Sequence, residues 1–248
     1  MTTASVCMAT YNGAKYLRPQ LDSILAELRD GDELVIVDDA SSDDTTAILA
    51  GYADPRIRVV HNEQNLGYVR AFERAMHLST GDVVLLSDQD DVWIPGRRDA
   101  LVTAAAATGI AASNLLLLGS EEPLRSPVTG RPWLLRAMDG PRALRNELRM
   151  LAGDVPYFGC AMAVRRDLLA QVLPFPQILV ESHDLWIATV ANASRRMTHV
   201  EQPTILRRMH ADNTSAPRPR GLLPALRSRL MLVRLWRIAR RRARTMSF

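Results

Sequence analysis

The chain has 248 residues, 47% hydrophobic and 23% charged, enough apolar surface to bury a core and too much for a chain disordered throughout. Its two cysteines, Cys7 and Cys160, exclude a disulfide framework or a cysteine-rich zinc site and point to a reducing compartment. The net charge is +4, but ten arginines and no acid fall in residues 218–248; removing those ten charges leaves −6 on residues 1–217, so the basic character is that of a tail and nucleic acid is not an expected partner.

In chain order, residues 4–9 form a short apolar run ahead of Thr10-Tyr11-Asn12-Gly13, which predicts a buried strand and a turn. Leu17, Leu21, Ile24, Leu25 and Leu28 then recur at helical spacing up to Asp30-Gly31. Residues 33–37 predict a second strand, closed by Asp38-Asp39. A helix over 45–52, a strand over 57–61 and a helix over 69–78 follow. Residues 83–86 predict a fourth strand, closed by Ser87-Asp88-Gln89-Asp90-Asp91. The second half is less regular: a helix over 97–108, a strand over 110–118, a long loop over 119–140 and a helix over 141–151. Beyond these come a strand over 157–164, a helix from Arg166, a helix over 185–194 and a strand over 204–209. The alternation predicts α/β units on a largely parallel sheet, where ligands bind beyond the carboxyl ends of the strands. Three such ends carry polar clusters: Thr10-Tyr11-Asn12, Asp38-Asp39 and Asp88-Gln89-Asp90.

Each cluster has a chemical reading and a plainer one. Asp88 and Asp90, two apart on a turn, can offer hard oxygens to Mg²⁺ or Mn²⁺, although acidic turns are commonly only solvated or helix-capping. Asp38 can accept from a base imide or a ribose hydroxyl, while Ser41, Ser42 or Asp43 caps the next helix. No G-x-G-x-x-G, P-loop or G-x-S-x-G motif occurs, which removes the main support for dehydrogenase, P-loop and serine-hydrolase readings.

Four segments in order carry a resemblance: Val-Cys-Met-Ala-Thr-Tyr-Asn-Gly (6–13), Val-Asp-Asp-Ala-Ser-Ser-Asp-Asp-Thr (37–45), Asn-Leu-Gly (65–67) and Ser-Asp-Gln-Asp-Asp-Val-Trp (87–93). Together they resemble the family 2 glycosyltransferases of the GT-A fold over about residues 4–215, and the last is similar to rhamnosyltransferase-like members. The resemblance implies a nucleotide-binding α/β sandwich around a mostly parallel mixed sheet. Thr10, Tyr11 and Asn12 would line the nucleotide pocket, with Tyr11 on the base. Asp38 would recognise the base with support from Asp39, and Asn65, Gly67 and Gln89 would complete the nucleotide-sugar site. Asp88 would sit near the ribose or metal, and Asp90 would bind the metal directly. Glu-Ser-His-Asp-Leu-Trp (181–186) resembles the segment that ends in the catalytic base, here Asp184. Residues 207–215 resemble a late motif whose histidine, His210, approaches the metal or diphosphate, and Gly159-Cys160 resembles a small-residue turn beneath the acceptor. Considered without the family, Asp184 reads as a helix N-cap, and His210 equally as a ligand and as a loop histidine bonded to backbone.

The implied activity is inverting transfer of a sugar from a dTDP- or UDP-sugar, dTDP-rhamnose among the candidates, to a glycan, glycolipid or lipid-linked acceptor. The alternative is a non-catalytic nucleotide-sugar-binding or membrane-scaffold protein of the same fold. Ala9 and His183 stand where many members have proline and glutamate, and residues 119–156 match no motif. The domain expectation is a body over 1–215, with a nucleotide-sugar half (1–95) and an acceptor half (96–215), and a basic amphipathic tail over 216–248. In that tail Leu223, Leu226, Leu230, Val233 and Ile238 recur near helical spacing among the arginines, with Trp236 suited to headgroup level. It reads equally as an anchor on an anionic membrane surface and as a helix docked on the body. The chain has neither a run of about 18 apolar residues nor a signal-peptide layout at its start. The expected location is the cytoplasm or the cytoplasmic face of the membrane, and a chain without the tail is expected to stay folded.

Overall fold

The structure is a computed structural model that describes residues 2–210 and 222–245, with side chains described from Leu226 onward in the last segment. The 211–215 part of the late motif lies outside the described residues. The chain runs β1 (Ala4–Thr10), α1 (Ala14–Leu25), β2 (Glu33–Asp38), α2 (Thr45–Ala50), β3 (Ile57–His61), α3 (Tyr68–Leu78), β4 (Val83–Ser87), β5 (Val92–Trp93), α4 (Arg97–Thr108) and β6 (Ile110–Leu117). It continues through α5 (Ala143–Ala152), β7 (Met162–Arg165), α6 (Leu169–Val172), α7 (His183–Ala193), β8 (Met197–Arg207) and α8 (Leu222–Thr245).

The strands lie in the order β3-β2-β1-β4-β7-β6-β8-β5. β1, β2, β3 and β4 are mutually parallel, as are β6 and β8, while β7 runs antiparallel to both β4 and β6 and β5 antiparallel to β8. This is the mostly parallel mixed sheet of the GT-A expectation. Side chains alternate across it. On one face Cys7, Val35, Val37, Val84 and Leu86 join α3 and α7 through Phe72, Met76 and Trp186. On the other Val6, Met8, Leu34, Ile36, Val83 and Leu85 join α1 and α4 through Leu17, Leu21, Ile24 and Leu101. Because both sheet faces are covered, the central strands read as continuous apolar runs. Register then fixes the site: Thr10 lies opposite Asp38, and Met8 opposite Ser87, so all three polar clusters leave the sheet at one edge.

The structure departs from expectation in four places. The strand expected over 157–164 is confined to Met162–Arg165, because Gly159–Ala161 form a 3₁₀ turn. The helix from Arg166 is a 3₁₀ turn followed by four α-helical residues, stopped ahead of Pro174. β8 begins seven residues earlier than expected, at Met197. It crosses Pro203 at a register shift where Asn114 amide bonds to Leu135 O and Glu201 O satisfy the interrupted ladder. The two-residue β5 was not expected.

The tail helix α8 packs on α7, burying Leu232, Leu235 and Ala239 in the core. Arg242 extends this contact. It donates to Gln171 O, Val172 O and Pro174 O and lies 5.2 Å over the Trp186 ring. The docked face differs from the stripe expected from the sequence: Leu226, Leu230 and Val233 are exposed, and Ile238 packs partly against the core. Among the described residues no helix is long and apolar enough to cross a membrane. Cys7 and Cys160 are both free and buried.

Candidate active site

The end of β1 is tied to its neighbours by side-chain bonds that replace an ordinary helix cap. Asn12 adopts a left-handed backbone (φ 47°), and its Oδ1 accepts from Ser42 N at 2.8 Å. The first N–H groups of α1 are satisfied from the β2 end: Gly13 N donates to Thr45 Oγ1 and Ala14 N to Asp43 Oδ2. Gln89, from the end of β4, grips Tyr11 on both sides. Its Oε1 accepts from Tyr11 N at 2.9 Å and its Nε2 donates to Tyr11 O at 3.1 Å. Gly13 leaves room for this approach, since a Cβ there would collide with the Gln89 amide as it is placed. The grip leaves the Tyr11 ring 47% exposed at the mouth of the site.

Beyond this edge lies a cavity of about 850 Å³. Of the expected site residues, Thr10, Tyr11, Asn12, Asp39, Asn65, Gly67, Asp88, Gln89, Asp90, Asp184 and His210 all line it. Asp38 stands apart from the lining: it is buried, and its carboxylate accepts from Thr10 Oγ1 and Ser41 Oγ. Asp39 reaches the wall, but its oxygens accept from Asn62 Nδ2, Leu66 N and Gly67 N at 2.6–3.0 Å. Asp39 therefore shapes the Asn65–Gly67 loop.

The acidic turn divides in two. Asp90 Oδ2 meets His210 Nε2 at 2.6 Å, and His210 packs 4.6 Å from the Tyr16 ring. Asp88 and Asp91 turn inward towards Cys160, with their ligand atoms within 4.8 Å of one another. Asp88 keeps some solvent contact through the cavity mouth, yet protein surrounds it elsewhere. Burial, then the neighbouring carboxylates, hold both Asp88 and Asp91 above the ordinary carboxylate range. The cations nearby offset only part of this charge. Arg97 is fully buried, its Nη1 donating to Thr204 Oγ1 and its Nη2 to Leu86 O and Cys160 O while Nε makes no hydrogen bond, and burial lowers its pKa to about 10. Crowded carboxylates with an unmet demand for positive charge are a donor set that fits a hard divalent cation. The Cys160 thiol, raised by complete burial, suits such an ion less well than the carboxylate oxygens.

Asp184 lies in the first turn of α7, whose N-cap is Ser182 in a left-handed conformation (φ 58°). Ser182 N is held by the Tyr68 hydroxyl at 2.9 Å. Asp184 is thus inside the helix and not its cap. Its Oδ1 accepts from Leu185 N, and burial raises its carboxyl to about 6. His183, immediately before it, is buried against Phe72 at 4.4 Å, with neither ring nitrogen hydrogen-bonded. Burial lowers its pKa to about 3, so the imidazole is neutral. Gly159 leaves room for this ring, because a Cβ there would lie 2.6 Å from His183 Nε2.

Sequence reasoning did not assign roles to Tyr16, Tyr68, Phe72, Asp91, Phe158 or Arg207, all of which line the cavity. Tyr16 carried a weak signal, one turn along α1 from Gly13. Arg207 closes β8 and lies 4.6 Å over the Phe158 ring, and its charge lowers Asp88, Asp91 and Asp184.

Comparison with known proteins bears on this geometry. The family model described as "Glycosyl transferase family 2" matches residues 5–173. The UDP-Glc:alpha-D-GlcNAc-diphosphoundecaprenol beta-1,3-glucosyltransferase WfgD of Escherichia coli is 24% identical over 185 residues, 74% of this chain and 68% of that protein. The succinoglycan biosynthesis protein ExoO of Rhizobium meliloti (strain 1021) is 34% identical over 110 residues, 44% of this chain and 32% of that protein. Among solved structures, S. aureus TarS 1–349 in complex with UDP-GlcNAc superposes with a TM-score of 0.68 at 17% identity, covering 94% of this chain and 66% of that one. The aligned stretch is thus about a third of the succinoglycan protein and just under two thirds of the TarS fragment. Sheet order, motif placement and a family match over most of its length agree: the chain belongs to glycosyl transferase family 2.

Proposed function

We propose that the protein transfers a sugar, with inversion, from a nucleoside diphosphate sugar to a hydroxyl of a glycan or lipid-linked acceptor. The observation that carries this reading is that Tyr11, the acidic turn and Asp184 line one cavity of about 850 Å³. The donor we favour is a UDP-sugar, the class named for the E. coli relative and bound in the TarS structure; dTDP-rhamnose is the other donor to test.

In this reading the base stacks on the Tyr11 ring, and the diphosphate lies towards Asp88 and Asp90. Asp88, Asp90 and Asp91 would hold Mg²⁺ or Mn²⁺, which when bound supplies positive charge to the departing diphosphate. Asp184 accepts the proton of the acceptor hydroxyl as its oxygen bonds to the anomeric carbon. The bond from that carbon to the diphosphate breaks, the diphosphate leaves with the electron pair, and the configuration inverts. Arg207 and His210 border the same space and stabilise negative charge there. Tyr68, Ser182 and Gly159 set the start of α7, so that Asp184 faces the cavity.

The test is hydrolysis and binding of UDP-glucose, UDP-GlcNAc and dTDP-rhamnose, with Mn²⁺ and with EDTA. At least one donor should bind more tightly with Mn²⁺ in the parent, and Asp90→Ala should abolish that response and turnover. An equal metal response in both proteins would remove Asp90 from the cation site. Donor binding with no transfer or hydrolysis under any condition would favour the non-catalytic alternative.

A further inference from the structure

A second cavity, of about 710 Å³, lies between the loop ahead of α7 and the outer side of α8. Its walls are Ile178 and Val180 on the loop, with Arg227, Leu230, Met231 and Arg234 on the helix. The four helix residues stand at i, i+3, i+4 and i+7, one continuous face. This face is distinct from the docked one, which consists of Leu232, Leu235 and Ala239. Val180 is 76% and Leu230 55% exposed, so an apolar lining stands open to water. Arg227 and Arg234 are exposed at its rim, and among the described residues neither has an ion pair or hydrogen-bond partner. Apolar walls that end in two unpaired guanidinium groups complement an anionic amphiphile: a greasy chain with a phosphate at its end.

The position of the groove matters as much as its lining. Glu181 lines both this cavity and the candidate active site, and it accepts from Ser228 Oγ of α8 at 2.7 Å. Glu181, three residues before Asp184, is therefore a wall that the two spaces share. A carboxylate at the join suits sugar hydroxyls, which donate to it, while the anionic group belongs further out, at the arginines.

We propose that this groove seats the acceptor as a single lipid molecule. Its apolar chain lies on Ile178, Val180, Leu230 and Met231, and its phosphate or diphosphate lies between Arg227 and Arg234. The attached sugar then reaches past Glu181 to Asp184. The placement rests on the glycosyl-transfer reading and adds to it the site and class of acceptor. It also gives α8 two roles: one face closes the core and another receives substrate.

Farnesyl diphosphate serves as the probe, titrated calorimetrically into the full chain with and without saturating UDP, against farnesol and inorganic diphosphate. The parent should bind it at least about tenfold more tightly than either fragment, with UDP present, because both halves of the groove contribute. Arg227→Ala/Arg234→Ala and, separately, Leu230→Asp should each lose about tenfold or more, with melting temperatures showing both variants folded. Inorganic diphosphate binding as well as the whole probe, or parent-like binding by both variants, overturns the proposal. So does a result in which the variants keep probe binding and lose only co-sedimentation with phosphatidylglycerol vesicles, since that describes a face for a bilayer. Nucleotide titrated into the parent separates the two readings. Probe binding with no binding of either UDP or dTDP, each titrated with Mn²⁺, sinks the glycosyl-transfer reading and leaves the groove; binding of either nucleotide without probe binding sinks the groove alone.

Discussion

Asp184 combines the two properties a general base needs at neutral pH: access to the cavity and a carboxyl lifted to about 6 by burial. At pH 7 such a group is mostly ionised, yet more basic than an ordinary carboxylate, which favours proton transfer in the transition state. Under the proposed mechanism Asp184→Asn removes the acceptor of that proton and leaves the Tyr11 side of the cavity intact. Turnover is expected to fall by about 10²-fold or more, while UDP affinity changes less than about twofold. The sign of the pH effect follows from the raised pKa: Asp184 must be deprotonated to act, so kcat/KM of the parent should fall as pH drops through about 6. Asp88 and Asp91 also titrate above the usual range, so the profile must be read on the variant too. If residual activity in Asp184→Asn keeps the same acid limb, that limb belongs to the acidic turn. At this scale the sequence identified the side chains at the strand ends but not how they are used. Gln89 and Asp39 are spent on Tyr11 and on the Asn65–Gly67 loop, a choice set by distances of a few tenths of an ångström that no motif spacing encodes.

Among the elements, α5 and α7 share a buried polar seam that the candidate site does not use. Glu147 on α5 is 6% exposed, and its Oε1 accepts from Asn192 Nδ2 on α7 at 3.0 Å. Burial lifts it from 4.5 to about 7, with the Asn192 bond opposing. A carboxyl raised in the folded state holds its proton where the unfolded chain has lost it. Its contribution to stability is therefore complete below about pH 4.5 and is lost between about 4.5 and 7, a loss of roughly 3 kcal/mol at most. Glu147→Gln keeps the oxygen that Asn192 needs and removes the ionisation. Its melting temperature should exceed the parent's at pH 8, and the two should converge at pH 4.5; thermal melts at the two values decide it. The elements best read from the sequence are β1 to β4, each an uninterrupted apolar run closed by polar residues. β7 and β8 depart from the sequence pattern for identifiable reasons. Gly159–Ala161 are apolar and look like strand, but they turn to admit the His183 ring and bring Cys160 to the acidic cluster. β8 carries Glu201, Gln202 and Pro203 through its middle, and Asn114 Nδ2 donates to Glu201 O across the shift in register.

For the whole molecule, the boundary between body and tail is the point on which sequence and packing differ most. Composition divides the chain near residue 217, where an acidic body gives way to ten arginines. The core does not divide there. Leu232, Leu235 and Ala239 are 3%, 0% and 1% exposed, and they cover the α7 face that contains Trp186. Arg242 satisfies carbonyls at the end of α6 that would otherwise need water. Charge pattern and apolar stripe could not reveal this, because Leu226, Leu230 and Val233 of the stripe are exposed and the docked face is narrower. Removing α8 is therefore expected to uncover a core face, not to trim an appendage. Leu235→Ala should cost about 2–5 kcal/mol, the usual range for a fully buried leucine, while Leu226→Ala, at an exposed position, should change stability by less than about 0.5 kcal/mol. A chain ending at residue 210 should unfold at a distinctly lower urea concentration than Leu235→Ala, because it loses all three buried side chains and the Arg242 bonds together. Urea melts of the four proteins, in high salt as well as low, separate packing from charge: a hydrophobic contact survives screening, whereas attraction between the arginines and the acidic body weakens. If the shortened chain melts with the parent, α8 contributes nothing to the core and the compositional boundary is the true one.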